Sequence, residues 1–123
     1  MDWIDENIAV GNWNDARHLD VLKEEGIDLI IDARTLFDDS EGRSKRRPIL
    51  EKVERSSDLL VKLSAMNVKV MIRCHHGRDR APFLAMLYVS KKNGMSHSDA
   101  YNFVAKKREI TVFHWDWVKM LNP

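Results

Sequence analysis

The chain has 123 residues, of which 32% are charged, and its formal net charge at pH 7 is +1. This length fits one domain with a single core, and the balanced charge excludes a global basic field that would attract nucleic acid or membranes. One cysteine excludes an internal disulfide, no apolar run reaches membrane-spanning length, and the first residues lack a signal-peptide pattern. We expect a soluble, cytoplasmic protein that is monomeric by default and has no obligatory nucleic-acid partner.

The first half of the chain predicts helices alternating with strands. After short N-terminal strands, apolar residues at helical spacing predict a helix over 15–25, which Gly26 ends. The compact apolar run 27–33 is typical of a buried parallel strand. Pro48 suits the first turn of a long helix, where its missing N–H does no harm.

The second half continues this alternation. Its expected elements are a buried strand over 68–73, a helix over 80–93 ended by Gly94, a helix capped by Ser96 or Ser98, and a short helix over 115–121. A right-handed crossover places the two buried strands in one parallel sheet. The loops after Ala33 and at Cys74 should therefore converge on one pocket at the carboxyl edge of that sheet. The fold class predicted is α/β, a single domain with a small, mainly parallel sheet flanked by helices.

The stretch 68–87 is the most informative, because a strand, a tight loop from Cys74 to Arg80 and a helix follow each other. Free backbone amides in such a loop, together with a helix N-terminus, bind phosphate or a similar oxyanion. Gly77 permits the dihedrals that a ring of amides requires. The positive potential of these amides and of the helix N-terminus favours a thiolate at Cys74. Arg80 presents a planar guanidinium group that can bind two phosphate oxygens. This arrangement predicts in-line attack by sulfur on phosphorus.

The loop resembles the signature of the protein tyrosine phosphatase superfamily, in which five residues separate a cysteine from an arginine. The flanking segments 3–11, 22–32 and 98–108 resemble the compact dual-specificity branch of that superfamily. The resemblance implies one such domain over 1–123. It implies a cysteine-dependent hydrolase for phosphate monoesters, on phosphorylated proteins or small molecules, through a phosphocysteine intermediate and without a cofactor. The phosphate-binding residues would be His75, His76, Gly77, Arg78, Asp79 and Arg80.

The resemblance also implies an aspartate, on a mobile loop upstream of the cysteine, that protonates the leaving group. Asp38 and Asp39 are the candidates, with Asp39 favoured slightly, although solvated acids in a polar loop are as good an explanation for either one. Asp79 competes for the role, because lipid-directed relatives such as the myotubularins have an aspartate there. An ion pair with Arg78 or a bond to loop backbone explains Asp79 better.

Three departures from the family pattern bear on function. The family usually has an additional edge strand before its acid, and this chain has little room for one. Arg73 replaces the usual histidine; it either supplies positive charge near the sulfur or, as we expect, pairs with a carboxylate on a neighbouring strand. Ala81 replaces a serine or threonine whose hydroxyl, in the family, helps the sulfur leave the phosphocysteine, so breakdown of the intermediate could be slow.

Other residues have less specific interpretations. Zinc is disfavoured, because His75 and His76 with Cys74 fit no common zinc spacing. The basic run 43–47 could attract phosphoinositides, acidic phosphopeptides or RNA 5′ phosphates, but a solvated loop explains it more simply. Phe37, beside the acidic pair, could stack on substrate or anchor its loop.

Three functions follow from these patterns. The first is a phosphatase in which Cys74 attacks, Arg80 and the loop amides stabilise the transition state, and Asp39 or Asp38 acts as the acid. The second is a phosphate-recognition module with weak or no turnover. A sulfur- or arsenate-handling enzyme on a similar loop is the least favoured.

Overall fold

A computed structural model describes residues 1–121 as one layered α/β domain around a four-stranded sheet. The strand order is β1-β2-β6-β3, with β1 antiparallel and the other three parallel, and β4 and β5 form a separate antiparallel ribbon. The strands are β1 (Asp2–Trp3), β2 (Ile8–Gly11), β3 (Leu29–Asp32), β4 (Phe37–Asp38), β5 (Arg47–Pro48) and β6 (Val70–Arg73).

Helices cover both faces of the sheet. They are α1 (Leu19–Glu24), α2 (Leu50–Ala65), α3 (Arg80–Asn93), α4 (His97–Lys107) and α5 (Trp115–Leu121). In β6, Val70 and Ile72 join the main core, which includes residues of α2, α3 and α4, whereas Met71 packs on the other face with Leu22 of α1. This alternation follows from the two-residue period of a strand. The predicted fold class is therefore confirmed.

Three elements predicted from the sequence differ from those in the structure. The helix over 15–25 is divided, because a reciprocal pair of bonds between Asn12 and Asp15 forms a 3₁₀ turn and His18 leaves the helical region before α1 begins. The run 27–33 is not a buried strand. It contains β3, an edge strand with Leu29 43% exposed, because no further strand covers it within the described residues. Pro48 lies in β5, and α2 begins only at Leu50.

The elements around the loop agree with the sequence. Helix α3 spans Arg80–Asn93 as expected, with Gly94 in the left-handed region at φ 65°. Ser96 caps α4 by accepting a hydrogen bond from the Asp99 amide. Strands β3 and β6 are parallel, with Asp32 opposite Arg73. The segments that follow the two strands therefore leave the sheet at the same edge, where the loop from Cys74 begins. No helix within residues 1–121 meets the length and apolarity that a membrane span requires.

Candidate active site

Cys74 directly follows β6 at the carboxyl edge of the sheet. Its side chain is 2% exposed, and the Ala81 amide at the start of α3 donates a hydrogen bond to Sγ at 3.4 Å. The sulfur therefore lies beneath the N-terminus of a 14-residue helix, whose free amides carry partial positive charge. This environment stabilises a negative charge on sulfur.

The carbonyls of the loop are bound by the surrounding protein. Trp13 N–H donates to the His75 carbonyl at 3.1 Å, and Val112 N–H donates to the Arg78 carbonyl at 2.8 Å. The Gly77 carbonyl accepts from the Arg108 Nε–H at 2.6 Å. Because a trans peptide directs its C=O and N–H to opposite sides, outward carbonyls turn the amides that follow them toward the loop interior. Amides turned in this way are able to bind an anion.

Position 77 requires glycine for two reasons, its positive φ angle and the lack of space for a β-carbon. Its φ is +66°, and a β-carbon at this position would lie 2.5 Å from Arg108 Nη2 and 2.7 Å from the Gly11 carbonyl oxygen. Arg108 also bonds Asp2 Oδ2 at 2.9 Å and the Val10 carbonyl at 3.3 Å. The buried arginine thus ties the loop to the N-terminal strands.

Arg80 opens α3 beside a pocket of about 210 Å³. Its Nε is buried and has no hydrogen-bond partner among residues 1–121, which leaves it free for a ligand. Burial and then the positive charge of Arg46 lower the pKa of Arg80, whereas the negative charges of Cys74 and Asp39 oppose that change. The pocket is lined by Arg43, Arg46, Cys74, His75, His76, Arg78, Asp79 and Arg80.

The two upstream candidate acids differ in their partners. Asp38 accepts from the Ser40 amide and lies 3.8 Å from Arg47, and the bonds from Ser40, followed by Arg47, lower the pKa of Asp38. Asp39 is 59% exposed, lies 3.8 Å from Arg46 Nη2, and its charge reaches Arg80. Only Asp39 of the pair is thus coupled to the pocket, although neither lines it in the described part of the chain.

Asp79 lies in the pocket wall with a partner that the sequence analysis did not propose. His114 Nε2 lies 2.7 Å from Asp79 Oδ1, and the His114 ring stacks on Trp117 at 3.7 Å. The expected ion pair with Arg78 is therefore replaced by a bond to a residue 35 positions away.

Several further predictions can be compared with the structure. Arg73 pairs with Asp32 across the sheet at 3.1 Å, as expected. Phe37 anchors its loop, because it is buried against Phe83 and Trp117. His75 and His76 stand at the exposed rim. Partial desolvation, followed by the neighbouring His76 and Arg34, lowers the pKa of His75.

The interpretation of 43–47 as a solvated loop is wrong in part. Arg43 and Arg46 line the pocket, and the Arg46 side chain is only 16% exposed. Sequence reasoning identified the charge but not its direction, because the contact joins segments about 30 residues apart. Among residues 1–121, no group of three or more His, Cys, Asp or Glu side chains is arranged to hold a metal ion.

The family follows from a comparison with known proteins. Residues 8–122 match the family model for the catalytic domain of dual specificity phosphatases. This chain belongs to that family.

Curated relatives agree with this assignment. The chain is 26% identical to human dual specificity protein phosphatase 8 over 83% of its own length, and 27% identical to human dual specificity protein phosphatase 16 over the same share. The aligned region covers 18% and 17% of those proteins, so the chain spans less than a fifth of the length of the curated relatives it matches.

Solved structures share the fold. The human tyrosine phosphatase-like serine/threonine/tyrosine-interacting protein superposes with a TM-score of 0.81 at 19% identity, covering 98% of this chain and 92% of that one. A mouse protein assigned to the dual specificity phosphatases, in complex with zinc tungstate, gives 0.82 at 16% identity, covering 98% and 82%.

Proposed function

We propose that the chain is a cysteine-dependent phosphatase that hydrolyses phosphate monoesters, among them phosphotyrosine and, if the cleft is shallow enough to admit them, phosphoserine and phosphothreonine. The observation that carries this proposal is the buried Cys74 sulfur, 3.4 Å from the Ala81 amide, in a loop whose carbonyls are bound outward. The family assignment supports it, and so does the complex of the mouse relative with tungstate, an oxyanion.

In the first step, the Cys74 thiolate attacks phosphorus and the bond from phosphorus to the leaving oxygen breaks. The inward amides and Arg80 stabilise the charge on the three equatorial oxygens. The leaving oxygen takes the electron pair and needs a proton, which we assign to Asp39. Its position beside Arg46, which lines the pocket, favours it over Asp38, which is held by Ser40 and Arg47 and has a lowered pKa.

In the second step, water attacks the phosphocysteine and the bond between sulfur and phosphorus breaks. The proton of the water passes to the Asp39 carboxylate, and sulfur leaves as a thiolate. The Ala81 amide, 3.4 Å from Sγ, stabilises that thiolate from the start of α3, whereas the Ala81 side chain has no hydroxyl to donate. The absent hydroxyl supports the second candidate function, a phosphate-recognition module with slow turnover.

We assign this activity to the cytoplasm. The chain's only cysteine is the proposed nucleophile, and a reducing compartment keeps a thiolate available.

Hydrolysis of phosphotyrosine and p-nitrophenyl phosphate by the wild-type chain and by Cys74→Ser tests the proposal. We expect phosphate release by the wild type and at least a 1,000-fold loss in the variant, as order of magnitude for removal of a nucleophile. Binding of tungstate or phosphate should persist in the variant, because the amides and Arg80 remain. Equal activity of the two proteins would refute the proposal, and binding without turnover would select the recognition module.

A further inference from the structure

The pocket contains more guanidinium groups than one phosphoryl group requires. A phosphoryl group presents three equatorial oxygens, and the loop amides with Arg80 are arranged to bind them. Arg43 and Arg46 line the same pocket but come from a different segment, between β4 and β5. They are therefore placed for a second anionic group.

Arg46 is held in place before any ligand binds. Its carbonyl accepts a hydrogen bond from the Trp117 indole N–H at 3.0 Å, and its side chain is largely buried. Its Nε is buried without a partner among residues 1–121, and its one carboxylate neighbour, Asp39, lies 3.8 Å away. Because Arg46 also lines the pocket, its fixed guanidinium group is placed to bind an anionic ligand oxygen there.

The size of the pocket limits how far the second group can be from the first. Its volume is about 210 Å³, whereas pockets for larger organic ligands start near ~300 Å³. Two phosphoryl groups that share a bridging oxygen are the most compact way to place two anionic groups in this space.

The position of the candidate acids favours the same substrate. Asp39 is exposed, and Asp38 is engaged by Ser40 and Arg47. An alcohol or phenol needs a proton as it leaves, since a phenol such as tyrosine has a pKa of about 10. A phosphate leaving group has a second pKa of about 6 and leaves as an anion that arginine stabilises directly.

Building on the proposed phosphatase activity, we propose that the preferred substrate class is a condensed phosphate, a diphosphate ester or pyrophosphate, whose inner phosphoryl group binds Arg46 and Arg43. Cys74 attacks the terminal phosphorus, and the bond from that phosphorus to the bridging oxygen breaks. The bridging oxygen keeps the electron pair, so the inner phosphate leaves without taking a proton. Water then cleaves the phosphocysteine as described above, and no oxidant or reductant is involved.

Turnover of matched substrates tests this proposal. With ADP, AMP and phosphotyrosine, we expect kcat/KM for release of the terminal phosphate of ADP to exceed the other two by at least tenfold. Arg46→Gln and Arg43→Gln should each reduce the ADP preference by about tenfold or more, the range for losing a hydrogen bond to a charged group. Lys45→Gln, in the same basic run but not in the pocket lining, should keep it. An equal or lower rate with ADP, or an unchanged preference in both arginine variants, would overturn the proposal.

The Asp39→Asn variant tests whether the two leaving groups, AMP and tyrosine, differ in their need for a general acid. Its release of tyrosine from phosphotyrosine in the first turnover should slow by about 100-fold, within the usual range for a general acid, and its release of AMP from ADP should slow by at least tenfold less. Equal slowing with both substrates would count against a leaving group that needs no proton.

Binding of pyrophosphate and orthophosphate tests the proposal even if the chain has no turnover. Titration calorimetry on Cys74→Ser should show pyrophosphate bound at least tenfold more tightly than orthophosphate, with the difference removed by adding Arg46→Gln. Fructose 1,6-bisphosphate, whose phosphates stand on separate carbons, should bind no better than orthophosphate. Equal affinity for pyrophosphate and orthophosphate, or a preference for the bisphosphate, would refute the inference. Absence of turnover alone would refute only the phosphatase proposal.

Discussion

Ala81 is the residue whose chemistry bears most directly on the rate of turnover. It is fully buried at the start of α3, and its contact with Cys74 is the single bond from its amide to Sγ. A departing thiolate is stabilised by each donor that reaches it, and a methyl group donates nothing. The sequence identified this position from the family pattern, and the structure adds that the side chain is enclosed by the core.

We predict that Ala81→Ser raises steady-state turnover of p-nitrophenyl phosphate by about tenfold or more, because a hydrogen bond to a charged group contributes about 1.5–3 kcal/mol. Stopped-flow measurement should show faster breakdown of the phosphocysteine and unchanged formation. Ala85→Ser, one turn further along α3 and equally buried, is the matched control and should give no gain. Unchanged or lower turnover in Ala81→Ser would contradict slow breakdown as the limiting step.

At the scale of elements, the cysteine loop depends on supports from both ends of the chain. Trp13 follows β2, Arg108 follows α4, and Val112 precedes α5, and each of them binds one loop carbonyl. His114, directly before α5, bonds Asp79, and Trp117 of α5 donates to the Arg46 carbonyl. The loop is thus rigid because distant elements fix its carbonyls, and its amides face inward as a result.

Gly77→Ala tests this support. We expect a loss of about 1–3 kcal/mol from the left-handed backbone alone, with a further loss because a β-carbon would lie 2.7 Å from the Gly11 carbonyl oxygen. Phosphatase activity should fall with it. Gly94→Ala is a close control, since Gly94 has nearly the same φ, +65°, and no atom of the described chain near the added carbon. Urea denaturation of both variants measures the difference, and equal losses would argue against the close approach.

At the scale of the whole molecule, one polar cluster connects the N-terminal strands to the end of α3. Asp5 accepts hydrogen bonds from the Asn7 and Ile8 amides at 2.9 Å and from the Tyr88 hydroxyl at 2.5 Å, with Lys92 Nζ at 3.4 Å. Burial alone would raise the pKa of Asp5, but these bonds and Lys92 outweigh burial and lower it below 3.8. The folded state therefore favours the carboxylate.

A lowered pKa in the folded state stabilises the protein above the unfolded value, and this contribution is lost as the pH falls through the folded value. We predict that Asp5→Asn lowers the free energy of unfolding by about 1–2 kcal/mol at pH 7. The gap to wild type should narrow below pH 3.8. Glu6→Gln, at an exposed neighbour, is the control. A gap in urea denaturation that stays constant down to about pH 3 would contradict the carboxylate's role.

Much of the fold and the centre of the site could be predicted from the sequence. Cys74, Gly77 and Arg80 lie within seven consecutive residues, so one local strand, loop and helix dictates their geometry. The span of α3 was equally local, because a glycine that adopts positive φ ends it. Helix 15–25 was mispredicted since side chains bonded to nearby backbone override helical periodicity, and the exposure of β3 depends on the absence of a neighbouring strand.

The sequence alone was enough to predict how Cys74, Arg80 and the loop between them are arranged, because backbone preferences over a few residues fix that arrangement. Three contacts could be learned only from the packing of the whole chain: Arg46 lines the pocket, Arg108 binds the Gly77 carbonyl and His114 binds Asp79. Each of these contacts joins segments about 30 residues apart. Such contacts depend on how whole elements pack, and no local pattern of charge or hydrophobicity specifies which distant partner a side chain will meet.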